Sequence, residues 1–111
     1  MNKKTEKVIH LLEEKKAEDI EVLELNGRSP FFDEVIIVTA PNERAIGAFA
    51  DAVEELLEKE GKEDEIFRKP EGNIESGWVL VDGGDFVLHI LSKEKREELS
   101  LEELFKRGQK Q

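Results

Sequence analysis

The densest run of side chains that could do chemistry is Gly77 to Leu91, GWVLVDGGDFVLHIL. It holds the chain's one tryptophan, Trp78, one of its two histidines, His89, and two aspartates, Asp82 and Asp85, around a glycine pair. Gly83-Gly84 between two apolar runs is a β-hairpin signal. A two-residue loop at these glycines places Asp82 opposite Asp85, Leu80 opposite Val87 and Trp78 opposite His89. Opposed residues share a face because side chains alternate along a strand. One face then carries Trp78, Leu80, Asp82, Asp85, Val87 and His89, and the other Val79, Val81, Phe86, Leu88 and Ile90. The second face is wholly apolar and should pack on helices. The first sets an indole, an imidazole and paired carboxylates around a small apolar middle, which suits protein recognition. A buried tryptophan that serves as a hot spot contributes ~2 kcal/mol or more to binding. The same residues admit a structural reading, with Trp78 as a core anchor whose N–H needs one acceptor and His89 as a half-buried histidine.

Reactive chemistry has less support. Opposed carboxylates such as Asp82 and Asp85 can raise a pKa or bind Mg²⁺. No third ligand or nucleophile accompanies them, so turn chemistry in water is favoured. Gly83-Gly84-Asp85 is too short for a phosphate-binding loop. Ser29, Ser76, Ser92 and Ser100 lack a nucleophile-elbow context. His10 sits in a helical stripe and is expected to border the core, and histidine spacing for a metal is absent. The chain has no cysteine, which excludes disulfides and thiolate chemistry. No catalytic, cofactor-binding or metal residue is therefore predicted.

Composition narrows the partner class. Asp and Glu number 27 against 17 Lys and Arg, for a formal net charge of -10. Nucleic-acid affinity comes largely from Lys and Arg neutralising phosphates, so direct nucleic-acid binding is disfavoured. The field of the whole molecule favours a basic partner and speeds its encounter, while also aiding solubility. No apolar run follows the N-terminal lysines as in a signal peptide, and none approaches the ~20 apolar residues of a membrane helix. A cytoplasmic chain without membrane contact is expected.

These residues must be positioned by the rest of the chain, in which no internal repeat is visible. Val8, Ile9 and Leu12 recur at helical spacing, predicting a helix from about Lys4 to Lys16. Asp19 to Leu25 reads as a strand, followed by turn chemistry at Asn26-Gly27. Phe31 to Ala40 contains Val35-Ile36-Ile37-Val38, a β-branched run that suggests a central strand covered on both faces. Asn42 is a candidate N-cap for a helix whose stripe is Ala45, Ile46, Phe49, Ala52, Val53, Leu56 and Leu57, with Gly61 at its C′ position. Glu65 to Lys69 reads as a short edge strand and Lys69 to Ser76 as a loop. Ser100-x-x-Glu103 has the capping-box pattern of a terminal turn through Leu101, Leu104 and Phe105. This order predicts one domain over 1–111, with a core over about 4–105 and a frayed tail at 106–111. The expected fold is α/β (α+β), a mixed sheet of about five strands with helices packed on it.

Three separate motifs now resemble one family. Trp78 to Ile90, WVLVDGGDFVLHI, is similar to the W-V-hydrophobic-hydrophobic-D-x-G-D-hydrophobic-hydrophobic-hydrophobic-H pattern of ribosomal silencing factors (Iojap type), matching at Trp78, Asp82, Gly84, Asp85 and His89. Upstream, KKAEDIEVLELNGRSPFFDEVIIVTA resembles the family's K-A-x-D-I-x-V-L-D-V-x-G-x-S-P-x-x-D run, through Lys16, Ala17, Asp19, Ile20, Gly27, Ser29, Pro30 and Asp33. Downstream, REELSLEELF resembles R-E-x-Y-x-L-E-x-L-W. The resemblance spans about Val8 to Phe105. It implies a nucleotidyltransferase-like fold without enzyme activity. The implied partner is protein number fourteen of the large ribosomal subunit, and the implied effect is a steric block to small-subunit joining that represses translation in scarcity. Homodimers off the ribosome are implied as well. Carried over by position, Trp78, Leu80, Asp82, Asp85, Val87 and His89 are expected to contact the partner or support the contact. The chain departs from the pattern at Gly83, Leu99 and Phe105, where the family often has Tyr or Leu, Tyr, and Trp, which removes aromatic area near the expected interface. Two alternatives are an enzyme and a generic acidic interaction module. For the enzyme, Asp33 and Glu34 are adjacent, so as strand residues they point to opposite faces and cannot share one metal.

Overall fold

The computed structural model describes residues 3–25, 27, 30, 32–60, 71–100 and 103. In chain order the elements are α1 (Lys3–Glu14), β1 (Glu18–Glu24), β2 (Glu34–Ala40), α2 (Glu43–Glu60), β3 (Glu71–Asn73), β4 (Trp78–Asp82), β5 (Phe86–Ser92) and α3 (Lys93–Leu99). A 3₁₀ turn over Ile74–Ser76 joins β3 to β4. The strands form one five-stranded sheet in the order β1-β2-β5-β4-β3. Only β2 and β5 run parallel; the other neighbours are antiparallel. The mixed five-stranded α+β sheet expected from the sequence is the fold observed.

β2 earns its central place from its side chains. All seven of its residues are buried, because β1 and β5 flank it and both faces are covered. On one face, Ile36 and Val38 meet Val79, Val81, Phe86, Leu88 and Ile90 from β4 and β5, and α1 and α2 close over them with Val8, Leu12, Ile46, Phe49, Val53 and Leu57. Burying side chains of this size contributes about 1.5–3 kcal/mol each, so this layer supplies most of the stability. α2 starts where expected: the Asn42 side-chain oxygen accepts from the Ala45 N–H at 2.8 Å. On the opposite face Leu23, Leu25, Val35, Ile37, Val87 and Leu91 form a second cluster, with Phe32, Trp78, Leu80 and Leu99 packed against it.

Several expectations change. α1 stops at Glu14, not Lys16, because Lys16 takes a left-handed φ of 65° and the Ala17 N–H reaches back to the Leu12 carbonyl at 2.9 Å, a Schellman closure. His10 does not border the core; it is exposed and lies 3.3 Å from Glu14 one turn on. The segment read as a loop before Ser76 contains β3, which pairs Glu71, Gly72 and Asn73 with Leu80, Val79 and Trp78. Gly72, inside that segment, sits at φ 113° so close to β4 that a Cβ would lie 2.4 Å from the Trp78 carbonyl oxygen. α3 was unexpected: Ser92 caps it, its hydroxyl accepting from the Lys95 N–H at 3.1 Å. Ser100 closes α3 at φ 47°. The strand expected over Glu65 to Lys69 and the turn through Leu101, Leu104 and Phe105 lie outside the described residues.

α3 is tied to the sheet by the packing of Leu99 and by the polar reach of Arg96. The Arg96 guanidinium donates to Thr39 Oγ1 of β2 at 2.8 Å and to the Asp19 carbonyl of β1, and lies 3.7 Å from the Glu21 carboxylate. Asp19 presents that carbonyl from a left-handed φ of 47°, inside a pairing irregularity between Glu18 and Glu21. The bulge aims an otherwise sheet-bound oxygen at α3.

Candidate functional site

The β4–β5 hairpin closes one step later than expected. Gly83 N–H donates to the Phe86 carbonyl at 2.9 Å, so the loop residues are Gly84 and Asp85, not Gly83 and Gly84. Pairing runs Asp82–Val87, Leu80–His89 and Trp78–Leu91, so Asp82 does not oppose Asp85 and Trp78 does not oppose His89. The correction is a slip of two residues, and an even slip returns each side chain to its original face. Two contacts select this register. Asp82 Oδ1 accepts from the Gly84 N–H at 2.9 Å, and Gly84 supplies the left-handed φ of 90°. The Phe86 ring fills the space beside Gly83, where a Cβ would fall 2.3 Å from the ring. Gly83 is thus matched to the aromatic ring lying over it.

The six candidate residues separate by depth. Trp78, Leu80 and Asp82 are half-buried, and Asp85 is exposed at the hairpin tip. Val87 and His89 are buried, at 7% and 6% exposure, so they lie beneath the surface that Trp78, Leu80 and Asp82 present. Asp85 is also structural: its carbonyl accepts from the Asp33 N–H at 2.6 Å, and its carboxylate stands 3.8 Å from Lys4 Nζ.

The sheet adds residues that sequence reasoning missed. Glu71 opposes Leu80 and Asn73 opposes Trp78, and both are exposed on the same face. Carboxylates of Glu71 and Asp82 therefore border an apolar centre of Trp78 and Leu80, while that of Asp85, in the loop, stands beside Lys4 of α1. No local pattern marks Glu71 and Asn73, since their place depends on β3 adding to β4.

Trp78 and His89 are joined diagonally across the two strands. The indole N–H donates to His89 Nδ1 at 3.0 Å, with ring centroids 5.9 Å apart and planes inclined by 29°. His89 lies between Leu80 of β4 and Ile37 of β2 in the sheet. Its burial pushes the imidazole pKa down from 6.5 to about 4. The ring is neutral at pH 7, and an accepting Nδ1 places its proton on Nε2.

Among the described residues, no three His, Cys, Asp or Glu side chains converge as metal ligands. Asp33 is exposed, whereas Glu34 is buried and accepts from Thr5 Oγ1 at 2.9 Å, so the adjacent pair diverges as its spacing predicted. No helix among the described residues is long and apolar enough to cross a membrane. The arrangement can offer a small amphipathic docking surface with a negative rim.

Fold and surface together define a small α+β domain with a mixed five-stranded sheet. The family model for "Ribosomal silencing factor during starvation" matches residues 1–111. The chain is 33% identical over 93 residues to the ribosomal silencing factor RsfS of Bacillus subtilis, covering 84% of this chain and 76% of the relative. It is 30% identical over 97 residues to the protein of that name from Halalkalibacterium halodurans, covering 87% and 80%. An X-ray structure of a Chromobacterium violaceum protein superposes with a TM-score of 0.83 at 29% identity, covering 95% of this chain and 87% of that one. A crystal structure from Bacillus halodurans gives 0.76, also at 29% identity, with 93% and 94% covered. The chain belongs to the ribosomal silencing factor family.

Proposed function

We propose that this protein binds the large ribosomal subunit through its protein number fourteen and blocks small-subunit joining by occupying the joining face, repressing translation without catalysis. It does so in the cytoplasm as a single-domain unit. The observation that carries the reading is the half-exposed Trp78–Leu80 pair bordered by Glu71 and Asp82. A tryptophan buried at the centre of a small interface supplies affinity, and a carboxylate rim selects Lys and Arg on a basic partner and steers the encounter. Val87 and His89 support this surface from below. The net charge of -10 favours a basic protein over bare phosphate backbone. A second copy of this chain is a competing occupant of the same surface, and light scattering of the free protein reads that dimer.

Co-sedimentation with purified large subunits tests the reading. The protein should migrate with them and reduce joining when small subunits are added. Raised salt should slow association, because rim charges act at long range. Free protein at the top of the gradient, or undiminished joining at saturation, would remove this function.

A further inference from the structure

Trp78 packs on the second apolar cluster, and its indole N–H bonds to the imidazole of His89. Trp78 is held along its backbone by pairing to Asn73 and Leu91. Just before it, Gly77 turns at φ 81°, so near β5 that a Cβ would lie 2.6 Å from Ser92 Oγ. These contacts place the Cα of Trp78 but leave rotation about its side-chain bonds. The 3.0 Å hydrogen bond from the indole N–H to His89 Nδ1 restrains that rotation, and the inclined ring contact at 5.9 Å adds a second restraint. His89 is itself immobilised, because it is buried on β5 between Leu80 and Ile37.

We propose that His89 is a positioning residue: its Nδ1 lone pair orients the Trp78 indole for docking, and it acts through that ring without touching the partner. The inference rests on the docking reading above for its consequence, but the orientation itself is a property of the free chain. A preformed anchor binds more tightly because less side-chain freedom is lost on association. Asparagine can hold an acceptor oxygen near the place of Nδ1, whereas leucine fills much of the volume and accepts nothing.

The full chain and two variants, His89→Leu and His89→Asn, provide the test. With one Trp and no Tyr in the chain, ultraviolet-excited emission reports Trp78 almost alone. In the unmodified protein, nitrogen NMR should detect scalar coupling between the indole nitrogen and His89 Nδ1 across the hydrogen bond, with the imidazole proton on Nε2. His89→Leu should shift the indole emission and N–H resonance, speed exchange of that proton at least tenfold, and weaken large-subunit binding about five- to tenfold. His89→Asn should recover most of each change at similar far-ultraviolet circular dichroism. A proton found on Nδ1 in the unmodified protein would overturn the proposal even if both variants failed to fold. So would a folded His89→Leu with unaltered indole signals, or with altered signals and unaltered binding. If the unmodified protein does not bind large subunits, the docking reading fails instead, while the NMR result still decides the indole geometry.

Discussion

The two faces of this sheet come from the same strands yet follow different rules. Under α1 and α2, the inward residues are aliphatic or Phe apart from the buried Thr5–Glu34 pair, and Ile36, Val38, Val81, Phe86, Leu88 and Ile90 are essentially inaccessible. Across the sheet, the alternate positions mix a smaller apolar cluster with Thr39, His89, Trp78 and Asp82, and α3 covers part of them through Arg96. On the first face, burial of apolar side chains does most of the specifying. On the second, directed bonds do so: Trp78 to His89, and Arg96 to Thr39 and Asp19. Buried polar groups cost free energy unless paired, and pairing also fixes geometry. One face holds the fold, and the other presents a defined surface.

The comparison can be broken first at matched leucines. Leu88→Ala on the covered face should cost about 2–5 kcal/mol in urea unfolding, by loss of transfer energy and cavity formation. Leu80→Ala, half-exposed one strand away, should cost under about 1.5 kcal/mol and reduce large-subunit binding more than stability. Equal losses would mean the faces do not divide the labour.

A pH series probes the polar side of the comparison. Burial lowers the folded His89 pKa from 6.5 to about 4, so between these values the unfolded chain binds a proton that the folded chain refuses. Stability from this residue is therefore complete above about pH 6.5 and falls as pH drops towards 4, by about 3 kcal/mol in total. Urea midpoints from pH 7 to pH 4.5 should fall more steeply for the unmodified protein than for His89→Asn. Parallel slopes would remove His89 as the source.

Smaller effects sharpen the picture. Arg96→Ala should cost about 2 kcal/mol, since it removes hydrogen bonds made by a charged donor, and hydrogen exchange should quicken in α3 before the sheet. Gly83→Ala should cost about 1–2 kcal/mol, because its Cβ must displace the buried Phe86 ring. Reported by thermal unfolding, a neutral Gly83→Ala would show that the hairpin tip has room to relax.

The strongest periodic signals were legible in the sequence. β2 and α2 sit where the β-branched run and the seven-residue stripe put them, with Asn42 as the cap. The hairpin was legible in kind and in the parity of its faces, but a Gly-Gly tip admits two closures. Choosing between them needed the Phe86 ring and the Asp82 side chain. β3 and α3 were not legible because neither has an apolar pattern of its own. One exists by its close approach to β4, and the other by a cap and the reach of Arg96 to β1 and β2. The depth of Val87 and His89 was hidden for the same reason, since covering of that face includes elements the pattern did not reveal.

Trp78→Ala most directly tests the claim that the outer β4 surface grips the ribosome. Its affinity for purified large subunits and its urea midpoint should be measured together. The account predicts at least tenfold weaker sedimentation with the subunit, with a cooperative unfolding transition retained. Unchanged co-sedimentation by a folded Trp78→Ala protein would contradict it.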